Sequence, residues 1–184
     1  MASVVISGTG LYKPPHIVTN AELVVAFNAY AEKFNARHAA RIEAGEVEAM
    51  VGSSVEFIEK ASGIKQRYVI DKEGVLDPDR MRPYFAPRSD EQLSLMAEIA
   101  VAAAKDALAA AGKRGEDVDM VLCAAANMQR AYPAMAVEIQ QAVGARGYGY
   151  DMNVACSSAT FAIEQAVNAL RCGTAKCVLM VNPE

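Results

Sequence analysis

An α/β fold with a largely parallel sheet is what the second half of this 184-residue chain predicts. Three observations carry that expectation. From residue 89 onward the pattern runs helix, strand, helix, strand, helix, strand, the order that right-handed crossovers produce. Met120-Val121-Leu122-Cys123 and Val178-Leu179-Met180-Val181 are apolar without interruption, as strands covered on both faces must be. Gly112, Gly144 and Gly173 each stand just past a helical stretch, where a left-handed residue closes the last turn. The length allows one domain with a substantial core, since a domain of about 150 residues buries roughly 70% of its unfolded surface.

The elements follow in order. Val4 to Ser7 reads as a short strand running into a turn at Gly8-Thr9-Gly10. The two glycines suggest a dinucleotide loop, but Lys13 stands where the third glycine belongs and Pro14-Pro15 follow, so no helix can open there as that loop requires. Thr19 and Glu22 have capping-box spacing, and helical character continues through Phe27, Tyr30, Phe34 and His38 to about Ala44. Residues 45–55 are a mixed connection, a short helix ends at Ser62-Gly63, and Lys65 to Ile70 reads as a strand. Leu76 to Ser89 holds three prolines and is a loop. Ser89 and Gln92 again have capping-box spacing, with Leu93, Met96, Ala100, Ala104 and Leu108 behind them at helical intervals. Asp119 to Ala125 is a strand, and Pro133 opens a helix running to Val143. Tyr148, Tyr150, Met152 and Val154 then alternate with small or polar residues as a strand does. A helix with Ala159, Ala162, Ile163, Ala166 and Leu170 on one face leads into a last strand, Cys177 to Val181.

Composition excludes several functions. The chain is 53% apolar and 22% charged, too apolar for disorder, and no apolar run approaches the roughly 18 residues that span a membrane. Its net charge of −4 argues against general nucleic-acid binding. Residues 1–10 carry no basic stretch of the secretory kind, so the expected setting is the cytoplasm with reduced thiols. Four cysteines without a CxxC pair, and only two histidines, predict no metal site.

Cys156 stands apart from the other three cysteines. It falls at the junction of a strand and the helix after it, which would place its sulfur in the first helical turn, where free backbone N–H groups and the helix dipole favour thiolate. Ala155, Ser157, Ser158 and Ala159 leave room for a substrate, and the same N–H groups could hold an oxyanion. Cys123 and Cys177 sit in apolar strands and Cys172 at a helix C-terminus, all unfavourable for a thiolate. The structural alternative for Cys156 is a packed thiol under a tight turn.

Asp151-Met152-Asn153-Val154-Ala155-Cys156-Ser157-Ser158-Ala159 resembles the nucleophile segment of β-ketoacyl-ACP synthase III, in the thiolase-like superfamily. Further segments resemble that family in the same order: Gly8-Thr9-Gly10-Leu11-Tyr12; Val18-Thr19-Asn20; Glu56-Phe57-Ile58; Ser62-Gly63-Ile64 with Arg67; Ala131-Tyr132-Pro133-Ala134; and Val178 to Glu184. The resemblance implies the layered α/β/α thiolase-like fold, as the first half of a pseudo-duplicated condensing enzyme whose C-terminal half lies outside these 184 residues. It implies that Cys156 takes the acyl group of an acyl-CoA. Malonyl-ACP then decarboxylates, and its carbanion attacks the acyl-enzyme to give β-ketoacyl-ACP in fatty acid biosynthesis. Phe57 and Arg67 fall at substrate-binding segments, and Tyr132 matches a position that reaches the acyl pocket of a homodimer partner. No cofactor is implied beyond the substrates.

Three departures qualify the resemblance. The family's Trp and Arg that clamp the CoA adenine are Phe57 and Ala61 here; Arg80, Arg82 and Arg88 are alternative phosphate contacts, or simply a solvated loop. About 25 residues of extra length near 28–55 are expected as an inserted helix and loop. Together with the Ser-Ser after Cys156, they resemble a subgroup that takes medium-chain acyl-CoA and makes a β-ketodecanoyl product. The family's catalytic His and Asn lie in its second half, and neither His16 nor His38 is in a matching motif. The competing reading is a non-catalytic dimerisation scaffold for an active partner. A papain-like hydrolase is a poor third reading, since no Cys-Gly-Ser-Cys-Trp segment exists and no His follows Cys156.

Overall fold

A computed structural model describes residues 3–89 and 91–184, which fall into two compact units, Met1–Tyr12 with Arg88–Glu184 and Lys13–Pro87. The first carries the sheet that the alternation predicts. Its helices and strands are α5 (Leu95–Ala110), β3 (Met120–Ala124), α6 (Met135–Val143), β4 (Tyr148–Met152), α7 (Ser158–Cys172) and β5 (Val178–Val181). The second holds β1 (His16–Thr19), α1 (Asn20–Arg37), α2 (Ala39–Glu43), α3 (Val55–Ser62), β2 (Gln66–Val69) and α4 (Lys72–Leu76).

In the sheet unit the strand order is β4-β3-β5 and both pairings are parallel, Leu122 lying opposite Tyr150 on one side and Met180 on the other. The central strand β3 is wholly buried. Val121, Cys123, Leu179 and Val181 point to one face, where they pack with Ala97, Ala100 and Ala104 of α5 and Met135, Ala136 and Ile139 of α6. Met120, Leu122 and Ala124 point to the other face, against Ala162, Ala166 and Ala169 of α7. The unit is therefore three layers, helix on sheet on helix. The chain crosses from β3 to β4 over one face and from β4 back past β3 to β5 over the other. Gly112, Gly144 and Gly173 are left-handed at the three helix ends, as expected.

Four expectations are corrected in this unit. Val4 to Ser7 forms no strand; Val5 and Ile6 are 74% and 78% exposed, and among the described residues no strand pairs with them. Gly8 and Gly10 instead let the backbone lie on α5, since a Cβ at Gly10 would come within 2.0 Å of the Ala103 carbonyl. The capping box at Ser89 makes only a turn, Gln92 Oε1 accepting the Ser89 N–H at 3.1 Å. The helix starts five residues later because Ser94 caps it, its hydroxyl accepting the Ala97 N–H at 3.3 Å. Pro133 precedes α6 rather than opening it, behind a cis Tyr132–Pro133 bond. On β4 and α7 the apolar sides are not all covered: Tyr148, Tyr150, Phe161 and Ile163 stay partly open.

The other unit begins as its sequence predicts. Thr19 caps α1 by accepting the Glu22 N–H, while Glu22 accepts the Thr19 N–H at 2.9 Å. The helix expected to reach Ala44 breaks at His38, whose φ of −107° and ψ of 15° are not helical. β1 and β2 pair antiparallel, His16 opposite Val69. A short helix, α4, follows β2, and Asp71 caps it through the Gly74 N–H at 2.9 Å. Residues 45–54 carry no helix or strand, and two asparagines clamp them to α1. Asn28 accepts the Ser53 N–H at 2.8 Å and donates to the Ser53 carbonyl at 3.1 Å. Asn35 does the same to Met50, at 2.8 and 2.9 Å.

Candidate active site

Ligands of open parallel sheets bind outside the carboxyl ends of the strands, where the connections diverge to opposite faces. Here that place lies beyond the carboxyl ends of β3 and β4. The loop after β3, residues 125–134, carries Tyr132; the turn after β4, residues 153–157, carries Cys156. Side chains stitch these ends together. Asn153 donates to the Ala126 carbonyl at 2.9 Å, Asn182 donates to the Ala124 carbonyl at 2.6 Å, and the Ala126 N–H donates to Glu184.

The turn holding Cys156 is sharp. Ala155 has φ of +47°, a left-handed conformation that a residue with a Cβ rarely takes. Ser157 and Ser158 donate their N–H groups back to the Val154 and Ala155 carbonyls at 3.1 and 3.0 Å. Cys156 is exposed. It precedes Ser157, the N-cap of α7, so it stands just before the helix rather than inside its first turn. The cause is the tight turn, which uses up residues 154–157 before helical geometry begins. Ser158 is also corrected: expected as open space beside the thiol, it is 2% exposed. Its hydroxyl accepts the Val154 N–H at 2.8 Å and donates to the Ala155 carbonyl at 2.7 Å.

Of the other cysteines, Cys123 is buried, and that burial, reinforced by the Asp151 charge, pushes its thiol up to about 12. Burial also raises Cys177, with the Asp119 and Asp117 charges adding to it and Lys113 opposing. Cys172 is exposed at the far end of α7.

Tyr132 is 89% exposed, yet its loop is firmly braced. Arg130 pairs with Glu138 at 2.6 Å, and Glu138 also accepts the Ser94 hydroxyl at 2.9 Å. The Gln129 side chain accepts the Met96 N–H at 3.0 Å. Asp151 of β4 joins loop to strand, accepting the Met135 and Ala136 N–H groups at 2.8 Å each. The sequence singled out Cys156 but not Asp151, Asn153 or Ser158 as its supports. The available signal was polar residues at the carboxyl end of a buried-sheet strand.

Phe57 and Arg67 lie in the other unit. Phe57 is exposed on α3 and lines a groove of about 590 Å³ with Phe27 and Val51. Arg67 on β2 turns inward: Nη2 donates to Oδ1 of the buried Asn20 at 3.3 Å, and Nη1 is buried without a partner. Of the loop arginines, Arg80 pairs with Asp77 at 3.2 Å and Arg88 with Glu98 at 2.5 Å. Both therefore already have anionic partners. Among the described residues no cluster of acidic, histidine or cysteine side chains could hold a metal, and no helix is long and apolar enough to cross a membrane.

Comparison with known proteins agrees with the family resemblance and with the fold. The family described as 3-oxoacyl-[acyl-carrier-protein (ACP)] synthase III matches residues 150–184, from β4 through Cys156 to β5. The chain is 56% identical over 159 residues to the β-ketodecanoyl-[acyl-carrier-protein] synthase of Pseudomonas aeruginosa PAO1, covering 86% of this chain and 45% of that protein. It is 30% identical over 181 residues to the β-ketoacyl-[acyl-carrier-protein] synthase III of Granulibacter bethesdensis, covering 98% and 42%. The chain thus spans less than half the length of these curated relatives. A solved 3-oxoacyl-[acyl-carrier-protein] synthase III from Aquifex aeolicus superposes with a TM-score of 0.68 at 24% identity, over 96% of this chain and 43% of that one. The fold is the thiolase-like layered one that the resemblance implies.

Proposed function

We propose, from this likeness in sequence and fold to β-ketoacyl-[acyl-carrier-protein] synthase III, that the chain is the acyl-accepting part of a condensing enzyme of fatty acid biosynthesis, with a medium-chain acyl-CoA as primer. The observation that carries the reading is Cys156, exposed on a strained turn at the carboxyl end of a parallel sheet, inside the segment 150–184 that matches the family. The Cys156 sulfur, its proton lost, attacks the thioester carbonyl carbon of acyl-CoA. A carbon–sulfur bond forms to Cys156, the bond to the CoA sulfur breaks, and CoA leaves as a thiol once protonated. The backbone N–H of Cys156 is the group we assign to the carbonyl oxygen as it becomes negative. Malonyl-ACP then loses CO₂, and the resulting carbanion displaces Cys156 from the acyl carbon to give β-ketoacyl-ACP. This second half-reaction calls for a His and an Asn. His16 begins β1 and His38 interrupts α1 and α2, so we assign both roles to residues of the relatives' remaining half.

Phe57 supplies an apolar surface for the nucleotide end of CoA in this reading. Arg67, turned toward Asn20, acts by holding the 64–69 segment rather than by reaching the ligand. Tyr132 belongs to the acyl pocket of a second copy in a cytoplasmic homodimer.

Intact mass tests the acyl-acceptor step. The 19.6 kDa chain is incubated with octanoyl-CoA or acetyl-CoA, then digested and mapped. The expected result is one octanoyl adduct on the peptide containing Cys156, absent in Cys156→Ser. No adduct, or one on Cys172, overturns the reading and leaves the scaffold alternative.

A further inference from the structure

We propose that Ser158 is the positioning residue for Cys156, its buried hydroxyl latching the turn that presents the thiol; the inference rests on Cys156 being the acyl acceptor. Three features carry it. The hydroxyl is buried with its residue at 2% exposure, where a bare methyl would fill the volume without needing partners. Both of its hydrogen bonds go to the two residues immediately before Cys156: it accepts the Val154 N–H at 2.8 Å and donates to the Ala155 carbonyl at 2.7 Å. Between those partners lies Ala155, held at φ of +47°. Conformations of that kind persist only where the surroundings over-determine them.

The latch is not ordinary helix capping. Ser157 is the N-cap of α7, and its side chain makes no capping bond. Ser158 instead ties the end of the β4 connection to the first helical residue across the thiol. Asn153 assists from the other side, its Oδ1 accepting the Ala155 N–H at 3.0 Å. Without the hydroxyl, the Val154 N–H loses its acceptor and Ala155 is freer to leave the left-handed region, carrying Cys156 with it. Cys172, exposed at the opposite end of the same helix, feels none of this and serves as a reference thiol in the same molecule.

The test compares the full chain with Ser158→Ala and Ser158→Thr. Each is titrated with octanoyl-CoA and, separately, alkylated with iodoacetamide, with adducts on Cys156 and Cys172 quantified by peptide mass. In Ser158→Ala the maximal acylation rate should fall at least about tenfold, as small misplacements of reacting atoms do, while the half-saturating concentration changes less than about twofold. That split is expected because Ser158 acts through Cys156. Cys172 alkylation should stay at its wild-type rate, and Ser158→Thr, which keeps the hydroxyl, should recover most of the loss. An unchanged maximal rate in Ser158→Ala overturns the proposal, as does a loss that Cys172 alkylation reports equally. If Ser158→Ala does not fold, a Cys156-to-Cys172 alkylation ratio that Ser158→Thr preserves supports the latch, and one that it changes overturns it. If the wild-type chain accepts no acyl group, the acyl-acceptor reading fails by itself. The alkylation ratio in Ser158→Ala then decides the latch alone, a shift supporting it and an unchanged ratio overturning it.

Discussion

Replacing Asp151 should unhook α6 from β4, and the cost can be worked from two bonds. The Asp151 carboxylate accepts the Met135 and Ala136 N–H groups at 2.8 Å each. These are donors at the start of a helix, which the helix itself cannot satisfy, and both residues are fully buried, so water replaces the carboxylate poorly. A hydrogen bond to a charged group contributes about 1.5–3 kcal/mol net. Asp151→Ala loses two of them and gains a little back by relaxation, leaving about 3 kcal/mol of destabilisation. With a urea slope of about 2 kcal/mol per M, the unfolding midpoint should fall by about 1.5 M. Asp151→Asn should recover less than half of that loss, because a carboxamide keeps one acceptor and turns an N–H₂ toward the second donor. A second readout is independent of the helix. The Asp151 charge is the lesser of the two causes that raise the Cys123 thiol, so Cys123 should titrate lower in either variant. A midpoint within about 0.3 M of wild type in Asp151→Ala, at unchanged slope, would falsify the claim that α6 is hung from β4 through this carboxylate.

Other perturbations follow the same logic. Gly10→Ala forces a methyl to within 2.0 Å of the Ala103 carbonyl and 2.5 Å of the Ala107 nitrogen; overpacking of this kind costs about 1–3 kcal/mol, and calorimetry should find a lowered Tm. Asn28→Ala removes both bonds that fix Ser53, so limited proteolysis should cut residues 45–54 faster while the sheet unit stays resistant. Hydrogen bonding to Lys72 first, then to Thr19, holds Glu22 at about 2, below its ordinary 4.5. Its contribution is therefore present above pH 4.5 and lost as pH falls through about 2; Lys72→Ala should raise the Glu22 titration midpoint followed by NMR. Cys123, ordinarily near 9.0, is held at about 12 mainly by burial. The Cys123 contribution should be full below pH 9.0 and be lost as pH rises toward 12, so Cys123→Ala should make the alkaline fall in urea titrations smaller.

Where one physical signal dominated, the fold was legible in the sequence. β3 is buried along its whole length, so nothing interrupts its apolar run. The helix ends at 112, 144 and 173 were readable because a left-handed residue there favours glycine in nearly any context. Misreadings arose where two local signals competed and distant contacts chose between them. Ser89-Gln92 and Ser94 are both plausible helix starts. Ser94 wins because Glu138 of α6, remote in sequence, also accepts its hydroxyl at 2.9 Å. Val4 to Ser7 has the composition of a strand, but composition supplies no partner. The glycines that follow serve a close approach to α5 that only the packed structure reveals.

The candidate site divides in the same way. Cys156 was legible because a strand followed by a small-residue turn and a helix fixes where a side chain must emerge. Its supports were not: Asp151 acts through the backbone of another segment, and Ser158 through the conformation of a turn that residue type does not reveal. Asp151 reads as the outward residue of an alternating strand, yet it caps a helix 15 residues upstream in sequence. Ser158 reads as one more small residue, and only its two bonds to residues 154 and 155 set it apart from Ser157. The side chain at such a junction can thus be found from its position, whereas its accuracy of placement resides in residues whose type is ordinary. That is why variants at Ser158 separate a placed thiol from a merely exposed one: Cys172 is equally without a disulfide and open to solvent, but no comparable strained turn holds it, since α7 has simply ended at Gly173.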